Sequence, residues 1–168
     1  VASGAAWACF AGSYLFLWLV NGDARWAAGA PAPSWGFAAL GCYAVAAAAL
    51  AWAARALRRR GRASGLAMGL ALLLLPAGSG AELLSLWQAG LRPEEHAHAA
   101  SSYALVVFQT FHAAIAALMA GYVIARQWAG LIDHERRVTF DNAQLFVLYT
   151  CAQGVAGLLL LHGFPRLL

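Results

Sequence analysis

Lysine is missing from this 168-residue chain, and aspartate and glutamate together number only seven. Charged residues make up 11%, against about 25% in soluble domains, so an ordinary water-facing surface is excluded. All eleven basic residues are arginines, and they form no binding face, which argues against a nucleic-acid partner in spite of a net charge of +4. Cysteine is scarce. Cys9, Cys42 and Cys151 lie inside apolar stretches without paired spacing, which predicts small packing residues and neither a disulfide nor a thiolate metal site. Also lacking are a nucleophile with an adjacent base, a glycine-rich phosphate loop and a chain of acids through the apolar segments. Their absence counts against an independent enzyme or an ion pump.

Hydrophobic residues account for 62% of the chain and fall into five stretches, at about residues 4–20, 34–56, 63–87, 97–125 and 143–163. Each approaches or exceeds the roughly 17–25 residues that a bilayer-spanning helix needs. The expected fold is therefore all-α and polytopic, with five transmembrane helices in one bundle. Arg55, Arg58, Arg59, Arg60 and Arg62 crowd the gap after the second stretch, and Arg126, Arg136 and Arg137 lie after the fourth. Arg25, Arg92 and Arg166 stand singly elsewhere, so the positive-inside rule places the N-terminus inside and the C-terminus outside. Val1 to Phe10 has no basic residue, and no cleavage signal precedes Asn21, so the first stretch reads as a mature helix. The chain begins with valine, which points to a processed N-terminus or to a piece of a longer polypeptide.

Gly22, Gly29, Pro31 and Pro33 mark an irregular outer loop from Asn21 to Ser34. Gly65 and Gly69 have the small-xxx-small spacing that lets membrane helices approach, and plain packing is the expected use. Pro76, followed by Gly78, Ser79 and Gly80, predicts a kink in the third helix. Glu82, beyond it, is the only acid inside an apolar stretch, and an ionisable group there is a functional candidate. The fourth helix carries Ser101, Ser102, Gln109, Thr110 and His112, with Gln109 at the depth of Glu82 and able to bond to it across helices. His112 reads as a neutral imidazole satisfied by a neighbouring helix. In the last helix Tyr149, Thr150 and Gln153 form a polar patch beside Gly154 and Gly157, which fits interhelical contact. Asp141 or Asn142 is placed to cap its start.

A membrane b-type haem needs two axial histidines facing one another at one level. His96 and His98 are expected in an outer loop, His134 at the opposite side and His162 near the outer end of the last helix, so the levels do not match His112. Glu94, Glu95, His96 and His98 form an acidic and imidazole cluster, which reads as a solvated cap on the fourth helix in preference to a metal site.

Ser102-Tyr-Ala-Leu-Val-Val-Phe-Gln-Thr-Phe-His112, continuing through Met119 to Arg126, resembles a helix of subunit III of the haem-copper (cytochrome c) oxidases, in its five-helix form. Glu82 sits where the preceding family helix often carries a glutamate. Arg136-Arg-Val-Thr-Phe-Asp-Asn-Ala-Gln-Leu-Phe-Val-Leu-Tyr149, with Gln153-Gly154, resembles the last helix, whose usual Trp-His-Phe-x-Asp pattern is replaced here. Tyr149 and Gln153 stand approximately for its histidine and aspartate, as in the subunit III domain of fused subunit I and III chains. Resemblance is clearest over residues 63–168. Ala11-Gly-Ser13-Tyr-Leu-Phe16 lacks the glutamate that many members carry in their first conserved helix.

The resemblance implies a non-redox accessory component of a respiratory terminal oxidase, packed on oxidase subunits I and II, with haem and copper in those partners and none in this chain. It also implies bound phospholipid, a role in sustaining proton uptake during aerobic electron transport, a place in a larger respiratory supercomplex, and a bacterial inner membrane. Glu82, Gln109, His112, Tyr149 and Gln153 are the candidate site residues, as buried polar contacts or walls of a lipid cleft. The competing readings are a small b-type cytochrome using His112 with His98 or His162, and a small transporter built around Glu82, Gln109 and His112.

Overall fold

In lipid every backbone polar group must be satisfied internally, and alanine- and leucine-rich runs do so as helices. The computed structural model describes residues 2–21, 33–58 and 64–166. It contains α1 (Ala2–Asn21), α2 (Pro33–Arg58), α3 (Ser64–Gln88), α4 (Ala97–Trp128) and α5 (Val138–Leu158). A π-helical turn, Leu159–Gly163, and a 3-10 turn, Phe164–Arg166, extend α5. All five helices are long and apolar enough to cross a membrane. The expected irregular loop from Asn21 to Ser34 lies mostly outside the described residues, as do Arg25, Arg59, Arg60 and Arg62.

The five helices are not equivalent. Helices α2, α3, α4 and α5 form a ring in which α2 packs on α3 and α5, and α4 on α3 and α5, while α1 rests principally against α4. The single five-helix bundle expected from sequence is thus a four-helix ring with one helix appended. Buried positions on the ring helices recur at alternating spacings of three and four. On α2 they are Ala39, Tyr43, Ala46, Leu50, Ala53 and Leu57, and on α4 Ser102, Val106, Gln109, Ala113, Ala116, Ala120 and Val123. That spacing keeps one seam facing the partners, as in left-handed bundles, and small residues bring the helices together where lipid removes the hydrophobic drive. Other large side chains point outward: Phe16, Leu66, Leu73, Leu118 and Leu145 are all more than 60% exposed.

Two ends are fixed by glycine. Gly90 (φ 71°) and Gly130 (φ 69°) adopt the left-handed conformation after α3 and α4. Leu91 N–H then donates to the Leu86 carbonyl, and Leu131 N–H to that of Arg126, so both helices stop in a six-to-one closure that satisfies orphan carbonyls. Elsewhere the boundaries depart from expectation. Helix α5 starts five residues early, at Val138, with Arg137 as its N-cap and no side-chain cap bond. Asp141 is therefore in the first turn, not at the cap, and its carboxylate meets the Arg137 guanidinium at 3.2 Å. The α3 helix continues through Pro76. The Ser79 hydroxyl there donates to the Leu75 carbonyl at 3.1 Å.

The loop between α4 and α5 has its own anchor. Asp133 Oδ1 accepts the backbone N–H groups of Glu135 (2.9 Å) and Arg136 (2.7 Å), and Oδ2 accepts the Arg136 guanidinium at 2.8 Å. The Arg136 amide, with its side chain and the Glu135 amide, lowers the Asp133 carboxyl from 3.8 to about 2. A depressed value means the anchored turn is intact above pH 4 and is lost as pH falls through about 2. Hydrogen exchange at the Glu135 and Arg136 amides should therefore stay protected at pH 4 and lose protection near pH 2. Asp133→Ala should abolish protection at both values, and unchanged protection in that variant would refute the anchor.

Candidate functional site

Along the seams of the ring, one level is polar. Tyr43 on α2, Glu82 on α3, and Gln109 on α4 occupy core positions there, with Thr150, Gln153 and Gly154 on α5. Glu82 lies about 27 Å along α3 from Ser64 by helical rise, in the half far from the arginine-rich end. The Tyr43 hydroxyl donates to Glu82 Oε1 at 2.8 Å. Gln109 Nε2 donates to the Thr150 carbonyl at 3.0 Å, and Gln153 Nε2 donates to Gln109 Oε1 at 3.0 Å. Thr150 turns its own hydroxyl back to the Phe146 carbonyl. Burial makes these bonds matter, because an unpaired polar group in a membrane interior costs several kcal/mol, roughly. Among the described residues no cation pairs with Glu82.

Sequence reading placed Glu82 and Gln109 near one another and able to bond across helices; in the structure Glu82 pairs with Tyr43 of α2, and Gln109 with Thr150 and Gln153 of α5. The Tyr43 ring fills a slot made by two glycines. A Cβ on Gly78 of α3 would stand 2.9 Å from Tyr43 Cε1, and one on Gly154 of α5 would stand 2.5 Å from Cε2 and 2.7 Å from Gln109 Nε2. Gly154 is thus where the tyrosine ring and the glutamine amide both touch the backbone of α5. Tyr43 was the residue missed. The available signal was that it is the one hydroxyl of α2 beyond Ser34, and a buried tyrosine hydroxyl normally finds a partner.

His112 is buried, but not satisfied by a neighbouring helix as expected. Its Nδ1 lies 2.9 Å from the Phe108 carbonyl, one turn back on its own helix. With that nitrogen donating, the imidazole is packed in an aromatic nest, stacked on Phe146 (centroids 5.9 Å, 17°) and edge-on to Tyr149 (6.0 Å). Tyr149 belongs to this nest and not to the Gln109–Gln153 pair. Its hydroxyl is buried without a hydrogen-bond partner, and a Cβ on Gly4 of α1 would stand 3.8 Å away. The five candidate residues therefore divide into two groups: Glu82, Gln109 and Gln153 inside the ring, and His112 with Tyr149 toward α1.

Of the remaining histidines, one moves from its expected place. His98 is in the first turn of α4, not in a loop, and is buried with Nε2 3.4 Å from the Tyr14 hydroxyl. Along one helix it lies about 21 Å from His112, too far to share a ligand. His162, in the π turn, lies over Gly36 of α2. His96 is the N-cap residue of α4 but makes no side-chain cap bond, and Glu95 pairs loosely with Arg92 at 3.8 Å. Among the described residues no three His, Cys, Asp or Glu side chains come together as a metal-binding group.

Chemically, the polar layer cross-links helices. It holds one carboxyl, one phenol and two amides, joined in two pairs, Tyr43 to Glu82 and Gln153 to Gln109, with Gln153 Oε1 buried and without a hydrogen-bond partner. Comparison with known protein families, curated proteins and solved structures finds no match to this chain.

Proposed function

We propose that this chain is a non-redox accessory subunit or domain of a respiratory terminal oxidase, similar to cytochrome c oxidase subunit III. The observation that carries the reading is the use of Glu82, Gln109 and Gln153: these three polar residues of the resembling segment bond other helices of the ring. In this role the chain packs on oxidase subunits I and II, which hold haem and copper, binds membrane phospholipid and sustains proton uptake. The N-terminus lies inside and the C-terminus outside a bacterial inner membrane, in keeping with the arginine bias. A larger respiratory assembly is its setting.

Mild purification from the native membrane, with mass spectrometry of the associated chains and a reduced-minus-oxidised spectrum, tests this reading. Subunits I and II with haem signals are expected. A haem band from this polypeptide alone would make it a cytochrome, and a colourless protein without oxidase partners that carries solute across liposomes would make it a transporter. Within the complex, Glu82→Gln keeps an oxygen able to accept from Tyr43 but removes the acid. Assembly should survive and proton uptake should slow. Unchanged turnover and uptake would restrict Glu82 to holding helices together.

A further inference from the structure

Hydroxyl groups inside a membrane helix usually turn back on their own backbone, and four here do so. Ser79, Ser101, Thr110 and Thr150 each donate to a carbonyl one turn earlier in their own helix, at 2.8–3.1 Å. Ser85 of α3 and Ser102 of α4 depart from this habit. Both are fully buried, and neither hydroxyl has a hydrogen-bond partner among the described residues. Gln153 Oε1 on α5 is in the same condition, although Gln153 Nε2 is bonded to Gln109. An amide oxygen only accepts, so it requires a donor that the side chains around it do not supply. Ordered water is the usual partner of such atoms.

Room for it lies beside them. The Gln153–Gln109 bond sets the register of α5 against α4. By helical rise Gly157 stands about 6 Å beyond Gln153, and Ser102 about 10 Å beyond Gln109, both away from the arginine-rich end. Gly157 is buried, yet a Cβ built on it would meet nothing within 4 Å. Close packing at Gly154, where a Cβ would strike Tyr43 and Gln109, thus gives way within one turn to open space. On the opposite side of the polar layer Met68, Ala71, Leu75, Ala116 and Ala120 fill the ring with apolar side chains. We infer that the ring binds a short file of water running from Gln153 Oε1 past Gly157 to the Ser102 hydroxyl, with the Ser85 hydroxyl as a further seat one turn beyond Glu82. Water suits these atoms better than a cation, because all three are neutral and the two hydroxyls donate as well as accept. The polar layer is therefore wet on one side and dry on the other, whether or not the chain serves an oxidase.

Radiolytic hydroxyl-radical labelling of the full chain in detergent micelles tests the file, since radicals formed from bound water mark the side chains it touches. Four buried leucines give an internal comparison. Leu105, one turn from Ser102, and Leu161, one turn from Gly157, should be oxidised, while Leu50 and Leu75 on the apolar side should not. Gly157→Leu should fill the space and abolish the label on Leu105 and Leu161, leaving that on lipid-facing Leu118 unchanged. Ser102→Ala should reduce the Leu105 label and lower the folding equilibrium constant about fivefold, the usual worth of one hydrogen bond. In a dry site the same substitution removes an orphaned hydroxyl and raises that constant. Labelling of Leu105 and Leu161 no faster than that of Leu50 and Leu75, or a Ser102→Ala chain more stable than the wild type, would overturn the inference. So would a Leu105 label that disappears when sodium replaces choline in the buffer, which would give the oxygens to a cation.

Discussion

Gly154→Ala should destabilise the folded chain by about 1–3 kcal/mol, and Gly154→Leu by more, in reversible unfolding from mixed micelles. The added Cβ would meet the Tyr43 ring at 2.5 Å and the Gln109 amide at 2.7 Å, so two interhelical contacts are disturbed together. The encroached atoms belong to the ring, not to its hydroxyl. Tyr43→Phe should therefore leave the Gly154→Ala penalty in place, whereas Tyr43→Leu, which removes the ring, should shrink it. If alanine at this position unfolds no more easily than glycine, the slot between Gly78 and Gly154 does not constrain the tyrosine.

Tyr43→Ala is expected to be comparably severe, about 3–5 kcal/mol, the range for removing a large aromatic from a packed core. The void would open between two glycines, and neither carries a side chain that can move in to fill it. Removal of the hydroxyl alone is a smaller change. Tyr43→Phe leaves Glu82 Oε1 without its donor, yet interhelical hydrogen bonds in membranes average only about 0.6 kcal/mol in double-mutant cycles. Phenylalanine should thus cost about 1 kcal/mol, within the usual range for an orphaned acceptor. Equal losses for Tyr43→Phe and Tyr43→Ala would mean that the hydrogen bond, and not the ring, holds the joint.

The helices were legible because length and apolarity suffice to mark them: each of the five stretches corresponds to a helix within a few residues, except at the start of α5. There the run Arg136-Arg137-Val138-Thr139-Phe140-Asp141-Asn142 looks polar, but Phe140 is fully buried and draws that turn into the helix. Which face of each helix is buried was much harder to read. In a soluble bundle the polar face identifies the apolar one by contrast, while here the lipid-facing side is as apolar as the core.

The same limit governed the site. Glu82, Gln109 and Gln153 stood out as polar residues in apolar surroundings, and all three proved to be buried and hydrogen-bonded. Tyr43 did not, because a tyrosine in an alanine-rich run looks like a membrane-interface residue. His112 bonding its own helix and Tyr149 turning toward α1 depend on helix rotation, which spacing within a single helix does not give.

The arrangement of alanine within the ring and bulky residues around it reverses the usual pattern of mutational tolerance. A saturation scan of this chain would be inside out. Ala46, Ala53, Ala71, Ala116 and Ala120, fully buried where helices meet, would reject even a valine, because its two added methyl groups push two backbones apart. Leu66, Leu118 and Leu145, exposed around the ring, would accept almost any apolar replacement. Over evolutionary time, the buried alanines of this protein should drift slowly and its lipid-facing leucines quickly.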